Sequence, residues 1–277
     1  MKRIDLHIHT TASDGTLSPA DAVQTASELG LAAVSITDHD TLSGYDEAKR
    51  AGEQYGIEVI PGIELSTRFS GPVHILGYFI DTKNDELQKV LDGIVSDRDE
   101  RNRKICDRMR SDGLNVTYDE MQQRFGNVIG RPHFAQILIE QHLVSSVDEA
   151  FENYIGKGKK YWFPRSTLSL EDCIKTIGIA GGISVLAHPF EYDYSSKTLA
   201  GLIEHCVDLG LKGIECRHSS HTPGQMAYLQ YLADEYGLLK TGGSDFHGSI
   251  KPDISIGTGK GLVSVPYSWL QELKNKI

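Results

Sequence analysis

Apolar and polar positions alternate along the chain with two different periods, and the switches between them mark the predicted elements. Residues 2–8 read as a strand. Ser18 then supplies an N-cap with Pro19 at the first helical position, and Gly30 stops that helix after Leu29. A short apolar strand follows at 32–37, a helix at about 44–55 ended by Gly56, and strands at 57–64 and 73–80. The same alternation resumes late: helix 170–180, strand 183–187, helix 197–209, strand 213–216, a helix opened by Thr222 and Pro223, strand 239–243, and a closing helix from Pro266. Strands separated by helical patterns predict a mostly parallel α/β sheet or barrel.

Residues 84–165 interrupt this rhythm. Asn84 caps one long helix over about 85–111 that Gly113 stops. Two capping-box patterns follow, Thr117 with Glu120 and Ser146 with Glu149. No strand pattern stands among them. The expected organisation is therefore a barrel built from 1–83 and 166–277, with 84–165 as an all-helical insertion domain.

Charge refines that division. The 277 residues carry a formal charge of −10. The insertion holds 13 basic and 14 acidic residues, so nearly all of the excess acidity belongs to the barrel. An acidic chain lacks the basic face that bulk duplex nucleic-acid binding needs. A small phosphorylated substrate is not excluded. Hydrophobic content of 39% suffices for a packed core. No run approaches the ~18 apolar residues of a membrane span, and Lys2 and Arg3 lead directly into a strand, so neither membrane nor signal peptide is expected. Cys106, Cys173, Cys206 and Cys216 form no CxxC pair and read as reduced thiols of a cytoplasmic protein.

Histidines and carboxylates fall at strand ends throughout the barrel pattern. Asp5, His7 and His9 alternate along the first strand and share one face. Asp14 follows in the next loop. Asp38, His39 and Asp40 follow the second strand, Glu64 closes the third, His188 follows 183–187, and Asp245 and His247 follow 239–243. Strand ends of this kind build one shared crevice. His74 begins its strand instead, and joins the crevice if that strand runs antiparallel, which the short 65–72 connection permits. So many imidazoles and carboxylates in one place call for divalent cations, and their number exceeds what one Zn²⁺ takes. A multinuclear site follows, of Mn²⁺, Fe²⁺ or Zn²⁺, with Glu64 a candidate bridge.

The order of these pieces resembles the PHP (polymerase and histidinol phosphatase) family of metal-dependent phosphoesterases. The motifs are Asp5-Leu-His7-Ile-His9, Ser13-Asp14-Gly15, Thr37-Asp38-His39-Asp40, Gly62-Ile-Glu64, His74-Ile-Leu-Gly77, Ala187-His188-Pro189 and Gly243-Ser-Asp245-Phe-His247. The resemblance implies a distorted (β/α)₇ barrel with two or three metal ions and gives the ligand roles to His7, His9, Asp14, His39, Glu64, His74, His188, Asp245 and His247. Gly130-Arg131-Pro132-His133 is similar to the stand-alone branch with a helical insertion. That branch is linked to nucleotide phosphates: the 3′-phosphate of 3′,5′-bisphosphonucleosides, or short oligonucleotides trimmed 5′→3′.

The implied chemistry is hydrolysis by metal-activated water, which needs no Ser or Cys nucleophile. Asp40 is a candidate for orienting a ligand or handling a proton, and His221 resembles a family position near the substrate. Arg131 and His133 flank Pro132 at an expected helix start, a favourable place for an anion. Lys157 and Lys159 lie in a Gly- and Lys-rich run followed by Tyr161 and Trp162, and Arg217 follows the 213–216 strand; these are the further phosphate-binding candidates. Two rivals remain. One is a phosphatase for another monoester such as histidinol phosphate; the other is a non-catalytic metal-binding PHP module.

Overall fold

The computed structural model describes residues 2–126, 128–164, 167–192 and 194–277. Arg165 and Ser166, where the insertion was expected to return to the barrel, lie outside the described residues. Eight strands form one sheet: β1 (Arg3–Ile8), β2 (Ala33–Ile36), β3 (Glu58–Arg68), β4 (Pro72–Tyr78), β5 (Ile183–Leu186), β6 (Gly213–Arg217), β7 (Leu239–Gly242) and β8 (Val265–Pro266), in the order β7-β6-β5-β4-β3-β2-β1-β8. β1, β2 and β3 are parallel, as are β5, β6 and β7. β4 is antiparallel to both β3 and β5, with Ser66 opposite His74. That reversal brings His74, at the start of its strand, to the end where the other strands finish.

The barrel closes just beyond β7. His7 O accepts from Asp245 N at 2.9 Å, Phe246 O accepts from His9 N at 2.9 Å, and Ile8 bridges Phe246 in parallel. Gly243 makes this approach possible: a Cβ there would lie 2.4 Å from both the Cβ and the N of His7. Seven strands thus form the wall, as expected. β8, two residues antiparallel to the start of β1, was not foreseen. Pro266 ends it and caps the closing helix, an edge position that tolerates a residue without an N–H.

The helices are α1 (Pro19–Glu28), α2 (Tyr45–Tyr55), α3 (Asp85–Ser111), α4 (Tyr118–Phe125), α5 (Arg131–Glu140), α6 (Val147–Ala150), α7 (Leu170–Ile179), α8 (Ser196–Asp208), α9 (Pro223–Glu235) and α10 (Tyr267–Lys274). Asn84 caps α3 by accepting from Glu86 N and Leu87 N, and the Thr117–Glu120 capping box forms. The second box forms by half: Ser146 accepts from Glu149 N, but the Glu149 carboxylate turns to Ser145 N and Oγ, both at 2.7 Å.

Two hydrophobic clusters divide α3. Leu87, Leu91 and Ile94 belong to the barrel core, whereas Ile105, Cys106 and Met109 join Phe134, Leu138 and Tyr161 in a separate cluster of the helical segment. At about 1.5 Å per residue, the 27-residue α3 is long enough to serve both. No helix among the described residues is long and apolar enough to cross a membrane.

Candidate metal centre

The alternation of β1 turns Asp5, His7 and His9 inward together, and all three are fully buried. Around them the other strand ends deliver a chain of imidazoles. Ring centroids run from His247 to His9 at 4.1 Å, His9 to His39 at 4.5 Å, His39 to His74 at 5.0 Å and His74 to His188 at 5.1 Å.

Glu64 sits at the middle of this row. Its Oε2 lies 3.2 Å from His9 Nε2, 3.5 Å from His7 Nε2 and 3.0 Å from His39 Nδ1. Its Oε1 lies 2.9 Å from His74 Nδ1 and 2.8 Å from His188 Nε2. One carboxylate thus addresses two sets of nitrogens, the arrangement of a bridging ligand. Asp245 Oδ1 stands 3.3 Å from His9 Nε2 and 3.5 Å from His7 Nε2. Asp14 Oδ1 stands 3.7 Å from His9 Nδ1 and 3.5 Å from His247 Nε2.

Among the described residues, donor atoms converge in four groups: His9, Asp14, His39 and His247; His7, His218 and Asp245; His7, His9 and Glu64; and His39, Glu64 and His74. Eight of the nine expected ligands fall in them. The ninth, His188, adjoins through Glu64.

The donors fit divalent cations on their own chemistry. His7 Nε2 and His9 Nε2 face each other at 3.1 Å, and His9 Nδ1, His39 Nδ1, Glu64 Oε2, His188 Nδ1 and His218 Nε2 are buried without a hydrogen-bond partner. Leaving one such group unsatisfied costs about 1–3 kcal/mol. A cation accepts the lone pairs that no neighbouring N–H can reach.

Burial would raise the Glu64 carboxyl, but the charges of His39, His74 and His7 more than offset it and hold Glu64 well below the usual range. Asp14 is lowered the same way, against its burial, by His39 and His247. For His9, burial opposes protonation, yet the facing carboxylates of Asp245 and Glu64 raise it to about 9. His247, desolvated and beside His9, falls to about 3. His188 and Asp245 both occupy the left-handed region, with φ of 25° and 55°. Such backbone is held only where surroundings over-determine it.

Glu215, Lys251 and His218 complete the site without having been assigned to it from sequence. Glu215 is fully buried on β6; it takes the His7 Nδ1 contact at 2.9 Å and accepts from His188 N at 2.7 Å. A carboxylate on the far nitrogen of a ligating imidazole fixes its tautomer and orientation. Lys251 Nζ lies 2.6 Å from Asp245 Oδ2. The usable signal for Glu215 was a charged residue inside an apolar strand.

Other sequence candidates are placed differently. Asp40 accepts from Ser66 N at 2.8 Å and Ser66 Oγ at 3.0 Å and pairs with Arg98, so its carboxylate stands outside the four groups. His221 is buried behind His218, accepts from Phe190 N at 3.4 Å and is lowered by desolvation to about 4. His133 Nδ1 accepts from Gly130 N at 3.0 Å while its ring stacks on Phe125; it shapes the start of α5 from within. Lys159 is exposed and lines none of the cavities described below.

Arg217 does not turn to the crevice. The β6–β7 ladder breaks register between Glu215 and Arg217, and the guanidinium donates to Ser264 O and lies 4.9 Å over Trp269. Such an irregularity re-aims the side chains beyond it.

Arg131 and Lys157 do meet. With Arg101, Trp162 and Phe163 they line a cavity of about 230 Å³ that reaches His74. A second cavity opens beside His39 and His247.

Comparison with known proteins supplies the context. The profile of the PHP domain matches residues 5–164. A 5′-3′ exoribonuclease of Haemophilus influenzae is 35% identical over 89% of this chain and 90% of its own length. A 3′,5′-nucleoside bisphosphate phosphatase of Chromobacterium violaceum is 32% identical over 100% of this chain and 98% of its own. A crystal structure from Bifidobacterium adolescentis, provisionally described as a metal-dependent phosphoesterase, superposes with a TM-score of 0.88 at 29% identity, covering 99% of this chain and 96% of that one.

Proposed function

The chain belongs to the PHP domain family, and from that premise we propose that this metal-dependent phosphoesterase hydrolyses the phosphoester at the 3′-oxygen of a nucleotide whose 5′-phosphate is held beside Arg131. One relative is named for a nucleoside 3′,5′-bisphosphate and the other for degradation of RNA in the 5′-to-3′ direction. In a 3′,5′-bisphosphate and in a 5′-phosphorylated oligonucleotide, the reacting phosphorus stands in the same place relative to the 5′-phosphate.

His7, His9, Asp14, His39, Glu64, His74, His188, Asp245 and His247 would hold two or three divalent ions, with His218 alongside, and the donor types suit Mn²⁺, Fe²⁺ or Zn²⁺. Such ions, when bound, neutralise phosphoryl oxygens and lower the pKa of water. The protein's own contribution is orientation. Glu215 holds His7 from behind. Arg101, Arg131 and Lys157 supply cationic donors for the anchored phosphate, and Trp162 and Phe163 offer faces on which a base stacks. The observation that carries this reading is that cationic and aromatic cavity, which opens onto His74.

The helical segment from α3 to α6 acts as a cap in this reading, because α5 brings Arg131 to the cavity and Gly130 against Asp14. Four buried, unpaired cysteines accord with a reducing compartment, and the cytoplasm is the proposed location.

The test is an assay with Mn²⁺ of a nucleoside 3′,5′-bisphosphate, a 5′-phosphorylated oligonucleotide and histidinol phosphate, before and after chelation. Chelator-sensitive turnover of the nucleotides is expected. Turnover confined to histidinol phosphate would overturn the reading.

A further inference from the structure

The second cavity, of about 630 Å³, meets the imidazole row at His39 and His247, one ring along from where the first meets it. Asp14, His39 and His247 line it, whereas the Arg131 cavity reaches the row at His74. The first turn of α5 separates the two. Arg131 lines one and Pro132 the other, and the Arg131 guanidinium lies 5.3 Å over Phe151, which belongs to the second. A phosphorus atom held along the row therefore has room for a substituent on each side. A monoester uses one such space; a diester needs both.

The walls of the second cavity suit a nucleoside. Val147, Phe151, Ile250 and Ile254 give it apolar surface, and Ser219 and Ser220 add hydroxyls. Its charges are balanced or acidic. Lys251 pairs with Asp245 at 2.6 Å and Lys260 with Asp253 at 2.8 Å, while Asp148 and Glu191 also line the space. A base and sugar are accommodated there; a further phosphate finds no cationic surplus.

Resting on the phosphoesterase reading above, we infer that the Phe151–Ile250 cavity binds the nucleoside on the far side of a scissile phosphodiester, so that 5′-phosphorylated dinucleotides are full substrates. The oxygen of water bonds to phosphorus, and the bond from phosphorus to the 3′-oxygen of the first nucleotide breaks. One water proton ends on that 3′-oxygen and the other is released. The products are a nucleoside 5′-monophosphate and a fragment with a new 5′-phosphate, the same kind of end that the Arg131 cavity takes. Because the outer lining is acidic, selectivity levels off at the dinucleotide and gains nothing from a third residue.

Steady-state kinetics with Mn²⁺ on a nucleoside 3′,5′-bisphosphate and on 5′-phosphorylated di- and trinucleotides test this in the wild type, Ile250→Trp and Ile250→Ala. Filling the cavity with Ile250→Trp lowers the dinucleotide-to-bisphosphate ratio of kcat/KM by about ten-fold or more, whereas Ile250→Ala shifts it by less than about three-fold. A readout independent of turnover uses the wild type and a dinucleotide with a non-hydrolysable methylene linkage and 5-iodouracil as its second base. Irradiation cross-links it to residues 147–151 or 250–254. An unchanged ratio in Ile250→Trp, or cross-links confined to Trp162 and Phe163, overturns the second site. Hydrolysis of the bisphosphate alone overturns it too while leaving the phosphoesterase reading intact. Hydrolysis of none of these substrates overturns that reading itself.

Discussion

The carboxylate of Asp40 pairs with the guanidinium of Arg98, and this buried contact ties the loop after β2 to the middle of α3. The same carboxylate accepts from Ser66 N, so β3 and α3 are fastened at one point. Asp40 holds its position with a φ of 56°. Its place in the molecule is that of a clamp between the barrel and the helical segment, beside His39 and outside the four donor groups.

Breaking that clamp from one side leaves a buried charge without its partner. Arg98→Met is expected to lower stability by about 3–5 kcal/mol. Adding Asp40→Asn to that variant costs less than Asp40→Asn does alone. Urea denaturation of the four proteins measures both, and an Arg98→Met midpoint equal to that of the wild type would remove the clamp from the account.

Glu64 and Glu215 are both buried carboxylates on imidazoles, yet they separate on substitution. Glu64→Gln replaces one oxygen of a carboxylate that would hold the ions from both sides, and is expected to lower turnover by about 10³-fold, the loss of several kcal/mol of metal assistance. Glu215→Gln disturbs only the orientation of His7 and His188, and weakens metal affinity by about 10–100-fold. Mn²⁺ titration followed by kinetics at saturating metal distinguishes them: Glu215→Gln recovers with added metal and Glu64→Gln does not.

Arg131 and Arg217, paired as phosphate candidates by the sequence, are expected to diverge. Arg131→Ala raises KM for the bisphosphate by about ten-fold or more, since it removes a charge-assisted contact worth about 1.5–3 kcal/mol. Arg217→Ala changes KM by less than about two-fold and lowers stability by about 0.5–1 kcal/mol through the lost stacking on Trp269. Equal KM effects in the two variants would contradict these placements.

Titration of the metal-free protein carries its own signature. His133, His221 and His247 are buried and desolvated, with values of about 4, 4 and 3. The unfolded chain takes up their protons first, so stability falls as pH drops from about 6.5 toward 4. His9, raised to about 9 against its burial by Asp245 and Glu64, acts in the opposite sense. Its contribution is complete below about 6.5 and is lost as pH rises through 9. Metal-free protein is therefore expected to be most stable near pH 6.5, with melting temperature declining on both sides. A melting temperature that climbs steadily from pH 6 to 9 under chelation would contradict this assignment.

The members of the His/Asp/Glu cluster were legible because their signal is local. Each falls at or just beyond the end of an apolar strand pattern, and β-alternation alone puts His7 and His9 on one face. The barrel followed from the same alternation of periods, and Asn84 and Thr117 announced their helix starts because capping is a contact between near neighbours in sequence. β8 left no such signal, since two residues carry no period.

What stayed illegible depends on contacts between distant residues. Glu215 is a lone acid in a strand until folding sets it against His7, 208 positions away. A local break in register, decided between β6 and β7, sends Arg217 to Trp269 instead of into the crevice. Asp40 stands in sequence next to His39, and only the packing of α3 across the barrel gives its carboxylate to Arg98. Periodicity and neighbouring residues thus specified the elements and the inventory of ligands; the direction of individual charged side chains was decided by tertiary packing, because the partner that repays the burial of a charge comes from elsewhere in the chain.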